Sequence, residues 1–132
     1  MGRLFLDDAR LAMKLATCVA VLLAWLGIAA PAFAHGFMDR SSPAAGSTVH
    51  GSPEEVKLSF SQAVEPAFCT VQVVDGNGKQ VDRKDKRADA SDPTLLRVSL
   101  QPLAPGTYRV TWRVLSKDGH VTKGSFTFDV AP

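Results

Sequence analysis

The sequence predicts an all-β domain, an antiparallel sandwich or barrel, preceded by an N-terminal export leader. Three observations carry that expectation. Beyond residue 35, short runs alternate apolar with polar side chains and are punctuated by Gly, Pro, Asp and Asn. No long run in that region has helical periodicity. Before residue 35, a single apolar stretch ends in small residues.

The leader comes first in the chain. Leu15 to Ala30 (LATCVAVLLAWLGIAA) follows Lys14 and precedes Pro31-Ala32-Phe33-Ala34. A basic start, an apolar centre and a small-residue end are the three parts of a secretory signal peptide. Ala32 and Ala34 form an A-x-A pattern, so residues 1–34 are expected to be removed by a cut between Ala34 and His35. The apolar run falls short of the roughly 20 residues that a membrane-spanning helix needs. A cleaved leader is therefore expected rather than a retained anchor, with no stable membrane insertion afterwards. Asp7 and Asp8 sit where a leader is normally basic, whereas Met13-Lys14 would open a more ordinary one, which points to translation from Met13. The mature chain is the same from either start.

Residues 35–132 suffice for one small domain. The whole chain carries 15 Lys and Arg against 13 Asp and Glu. Cleavage would remove Arg3, Arg10 and Lys14 with Asp7 and Asp8, leaving a nearly neutral remainder and no case for a nucleic-acid partner. The cluster Arg83, Lys84, Lys86, Arg87 is interrupted by Asp85 and flanked by Asp82 and Asp89, and reads as a solvated loop. Cys18 leaves with the leader. Cys69 then remains alone, so no internal disulfide can form and hydrophobic burial must hold the fold.

In chain order, Val56, Leu58 and Phe60 share one face of a strand, with Lys57 and Ser59 on the other. Cys69, Val71 and Val73 make a second stripe, closed by the turn signal Asp75-Gly76-Asn77-Gly78. Leu96, Val98 and Leu100 make a third. Pro102 to Gly106 turns the chain into the clearest strand, where Tyr108, Val110, Trp112 and Val114 alternate with Arg109, Thr111 and Arg113. After Asp118-Gly119, Phe126, Phe128 and Val130 alternate towards the C-terminus. Trp112 is expected in the core, Cys69 as a buried inert thiol, and His50 as a solvated loop side chain.

Chemistry centres on His35. As a free N-terminus it would offer an α-amine and an imidazole nitrogen that close a chelate ring on one metal. Planar nitrogen donors suit Cu(II), which also heads the divalent affinity order. A terminal histidine alone is as easily a frayed end. Asp118-Gly119-His120 shifts that balance: in an extended segment, residues two apart face the same side, so a carboxylate and an imidazole share one loop. The plain alternative is a turn at Asp-Gly with a solvated neighbour.

Further pieces fall in a fixed order: Ser42-Pro43-Ala44-Ala45-Gly46-Ser47, Val56-Lys57-Leu58-Ser59-Phe60-Ser61, Leu103-Ala104-Pro105-Gly106-Thr107-Tyr108, Val110-Thr111-Trp112-Arg113-Val114, Ser116-Lys117-Asp118-Gly119-His120 and Gly124-Ser125-Phe126. With His35, they make residues 35–132 resemble the periplasmic copper-resistance protein C (CopC-like) family. The resemblance implies a small Greek-key β-sandwich, Ig-like or cupredoxin-like, that binds one Cu(II) per chain in the periplasm for copper resistance or homeostasis. It implies His35 (amine and imidazole), Asp118 and His120 as the metal ligands. A copper-transporting inner-membrane protein is the one protein partner that this reading allows for.

Two departures from the family are visible. Gln62 stands where many relatives carry Glu, which removes a carboxylate near the site. Met38 is the one methionine left after cleavage, so a thioether-rich Cu(I) site is not expected. The expectation is a carrier and not an enzyme. A copper monooxygenase built on an N-terminal histidine and a second histidine is the enzymatic alternative, but such enzymes are larger and need a broad substrate face. An Ig-like interaction module without metal is the third reading.

Overall fold

The computed structural model describes Arg10, Met13, Lys14 and residues 38–132. The expected leader, its cleavage site and His35 lie outside the described residues, apart from those three leader positions. Residues 38–132 belong to one compact unit. No helix among the described residues is long and apolar enough to cross a membrane.

The described residues form two four-stranded sheets. One runs β1 (Met38–Ser42), β3 (Glu55–Phe60), β6 (Leu95–Ser99), β5 (Arg87–Ala88). The other runs β2 (Thr48–His50), β8 (Val121–Ala131), β7 (Gly106–Leu115), β4 (Thr70–Val74). The architecture is thus a sandwich, and the barrel alternative is closed. All strand pairs are antiparallel except β2, which enters beside β8 in the same direction. His50 therefore ends an edge strand and is not a loop residue; its Nδ1 lies 3.2 Å from the Pro132 carbonyl oxygen.

The period-two stripes become the core. Val56 faces Val98 and Leu58 faces Leu96 across β3 and β6, all four buried. On the other sheet Tyr108, Val110, Trp112 and Val114 are buried while Arg109, Thr111 and Arg113 are exposed. Burial of such side chains stabilises by about 1.5–3 kcal/mol each, and the described residues contain no disulfide to add to it. The sheets meet where the rings of Phe60 and Trp112 pack edge to face, 5.5 Å between centroids. Within the second sheet Tyr108 stacks on Phe128 at 5.7 Å, and its hydroxyl donates to the Ala104 carbonyl at 2.6 Å, pinning the turn into β7.

The segment 80–83 stitches the sheets together. Val81 N–H donates to the Val73 carbonyl at 2.8 Å, and Arg83 N–H donates to the Ser99 carbonyl at 2.8 Å. Asp82 is buried. Its carboxylate accepts from the backbone N–H of Val73 at 2.8 Å and of Lys84 at 3.2 Å, and from the Gln80 amide at 3.0 Å. The basic cluster beyond it is only partly a loop: Arg87 opens β5 and bridges Asp85 at 3.1 Å and Glu55 at 3.7 Å.

Candidate metal centre

The longest hairpin of the fold, β7 and β8, is closed by residues 116–120. The Ser116 N–H donates to the His120 carbonyl at 2.9 Å, and the Gly119 N–H donates to the Ser116 carbonyl at 2.9 Å. Gly119 sits at φ +90°, a conformation that a side chain would strain. A turn, rather than the extended segment expected from the spacing, brings Asp118 and His120 together.

The Asp118 carboxylate is held by its own loop. Oδ1 accepts from the Ser116 hydroxyl and from the His120 N–H at 3.2 Å, while Oδ2 lies 2.9 Å from His120 Nδ1. The Ser116 hydroxyl, the His120 ring and the His120 N–H, in that order, lower the Asp118 pKa to about 2. Asp118 is thus an anion at any neutral pH, and it orients the imidazole that it touches. Both side chains are open to solvent, with His120 66 % and Asp118 41 % exposed. The role of Ser116 was not foreseen; its position two residues before an aspartate was the available signal.

The segment after β3 runs along this loop. Lys117 N–H donates to the Ala63 carbonyl at 2.8 Å, Val64 bridges Ser116, and Glu65 N–H donates to the Leu115 carbonyl at 2.9 Å. Gln62, next to Ala63, is exposed. Asp39 lies in β1, at an irregularity in its pairing with β3. Met38 pairs with Phe60, so β1 begins at the same end of the sandwich as the loop.

Cys69 is 2 % exposed, and its thiol donates to the Glu65 carbonyl at 3.1 Å. Burial is the main cause that raises its pKa. A soft ligand is therefore not on offer there. Among the described residues no group of three or more His, Cys, Asp and Glu is assembled for a metal. Asp118 and His120 supply two donor residues, and His35 lies outside the description.

Comparison with known proteins decides the family. The CopC domain model matches residues 38–131. The chain belongs to the CopC family. It is 35 % identical over 99 residues to Protein YobA of Escherichia coli K12, covering 74 % of this chain and 80 % of that one. It is 34 % identical over 123 residues to Copper resistance protein C of Xanthomonas campestris pv. juglandis, covering 89 % and 95 %. Among solved structures, CopC from Methylosinus trichosporium OB3b superposes with a TM-score of 0.68 at 40 % identity, over 73 % of this chain and 93 % of that one. This CopC domain carries its imidazole–carboxylate pair on the β7–β8 loop.

Proposed function

We propose that this protein binds one Cu(II) through the α-amine and imidazole of His35, the Asp118 carboxylate and the His120 imidazole. In this reading it carries or buffers copper in the periplasm, as part of copper resistance, after removal of residues 1–34. The observation that carries the proposal is the Asp118–His120 pair, set on the β7–β8 loop of a CopC domain. The Copper resistance protein C relative adds weight to copper as the metal.

Chain reach supports the missing half. An extended chain advances at most about 3.3–3.6 Å per residue, so His35 lies within roughly 11 Å of Met38. Met38 pairs with Phe60, and the chain after Phe60 hydrogen-bonds to the loop through Ala63 and Lys117. Ionised Asp118 keeps lone pairs beyond the bonds that it accepts in the loop, so it can bind metal as well as steer the ring. Three nitrogens and one oxygen complete a square plane and leave little room for a substrate, which favours a carrier over an oxidase. A copper-transporting inner-membrane protein is the natural recipient.

The test is mass spectrometry with Cu(II) titration of protein purified from an exporting host with its own leader. A mature mass beginning at His35 and one tightly bound Cu(II) are expected. Adding one residue before His35, or making His120→Ala, should abolish tight binding. Undiminished affinity in the extended protein would eliminate the chelate. Sustained reductant-dependent peroxide production by the copper-loaded protein, free copper having been removed, would overturn the carrier reading.

A further inference from the structure

The two outer faces of the sandwich treat their basic residues differently. On the sheet of β1, β3, β6 and β5, Lys57, Arg87 and Arg97 each meet a carboxylate, while Arg40 of the edge strand β1 makes no ion pair among the described residues. Arg97 forks onto Glu55 at 2.6 and 2.9 Å and reaches Asp89 at 2.6 Å. Lys57 bridges Glu55 at 3.3 Å, and Arg87 bridges Asp85.

On the outer face of β4, β7 and β8 there is no such matching. Arg109, Arg113 and Lys123 are exposed, and their side chains make no ion pair or hydrogen bond among the described residues. Arg113 stands directly opposite Lys123 in the register. Like charges in that relation destabilise a sheet. Asp129 is the one carboxylate in these three strands; it pairs with Thr107, diagonal to Arg109 and at the opposite end of the hairpin from Arg113 and Lys123, and accepts from the Thr107 hydroxyl at 2.6 Å. A concavity of about 420 Å³ opens between the cations, lined by Arg109, Thr111, Trp112, Lys123, Gly124 and Ser125. At the loop end, Phe68 and Val121 are exposed apolar residues, 64 % and 49 % accessible.

We infer that this face docks an acidic segment of a protein partner. Charge complementarity selects an anionic occupant. The hydroxyls of Thr111 and Ser125 beside the guanidinium groups suit carboxylates, which accept several hydrogen bonds each. The face is open and shallow, so an extended acidic segment can lie across it, and a plane of anionic lipid headgroups is the alternative occupant that the test separates. Unmatched arginines beside an exposed aromatic are also the composition of a protein interface. The face runs up to the loop of Asp118 and His120, so a partner bound there sits beside it. The inference holds whether or not that loop binds copper.

The probe is a peptide of glutamates, titrated at low salt into the exported protein and followed by amide chemical shifts, with phosphatidylglycerol vesicles as the comparison. Saturable peptide binding is expected, with shifts on Arg109, Thr111, Arg113, Lys123 and Ser125. Affinity should fall by about tenfold or more in the combined Arg109→Gln, Arg113→Gln, Lys123→Gln variant. It should stay unchanged in Arg83→Gln, Arg87→Gln. Should the triple variant fold poorly, Arg113→Gln alone should weaken binding and also raise the melting temperature, because it removes a like-charge pair. Shifts confined to residues 83–87, equal binding by well-folded variants, or binding to the vesicles but not to the peptide would each overturn the proposal.

Discussion

Asp118 serves His120 through the backbone as well as through its ring. Its two oxygens meet the Ser116 hydroxyl, the His120 N–H and His120 Nδ1, so carboxylate and imidazole are fixed relative to one another before any metal arrives. Asp118→Asn should keep the fold but offer an N–H where an acceptor is needed. Copper affinity is expected to drop by at least about ten- to hundredfold, the cost usual for losing a group that only orients a ligand, because the proposed site also loses an oxygen donor. Isothermal titration checks this, and an unchanged affinity would refute a role for the carboxylate. This pair was legible in the sequence because it is local: two residues, one tight turn. Gly124 was not, because its constraint comes from the hairpin register. It faces Trp112, and a Cβ added there would sit 2.7 Å from indole Cζ2. Trp112 is 2 % exposed, so its ring yields only by disturbing the core packed around it. Gly124→Ala should therefore destabilise by about 1–3 kcal/mol in urea denaturation, as overpacking does.

At the scale of elements, the strands with strict alternation were readable and the short ones were not. β3, β6 and β7 bury alternate residues along their length, so the period-two signal is strong there, whereas β8 does so only at Phe128 and Val130. β2 and β5 are three and two residues long, and pairing with a neighbour defines them rather than any pattern of their own. The same non-locality hid Asp82. By sequence it is one acid beside a basic cluster; in the fold it is buried where residues 80–83 cross between sheets. Removing it by Asp82→Ala would strand the Val73 N–H, a buried donor whose loss of partner costs about 1–3 kcal/mol. The expected signature is a lower urea midpoint together with faster hydrogen exchange at Val73, while exchange in the β7–β8 hairpin rises only through global unfolding. Equal protection at Val73 in both proteins would show that the latch is dispensable.

For the whole molecule, protonation of the proposed nitrogen ligands and protonation of the carboxylates fall in separate pH ranges. Hydrogen bonds and ion pairs lower the pKa values of Glu55, Asp85, Asp89, Asp92 and Asp118, Asp89 and Asp118 to about 2. A carboxylate with a depressed folded pKa stabilises the fold above its unfolded value of about 4, and that stability is lost as pH falls through the folded value. The scaffold should therefore hold its melting temperature from neutral pH to about 4 and weaken below it. The proposed copper ligands obey a different range. Protons compete with the metal for the imidazole and amine nitrogens, so affinity should fall steadily as the pH is lowered from about 8 to about 5. Acidification would then release copper from a protein that is still folded. Recording bound Cu(II) by its visible absorption and tertiary structure by near-ultraviolet dichroism, in one acid titration, separates the two events. Metal loss is expected first, with the dichroism of the apoprotein unchanged through pH 5. Unfolding that coincides with copper loss would mean that the metal holds the sandwich together, and the ion-paired face of β3, β5 and β6 would not be the element that sets its acid limit.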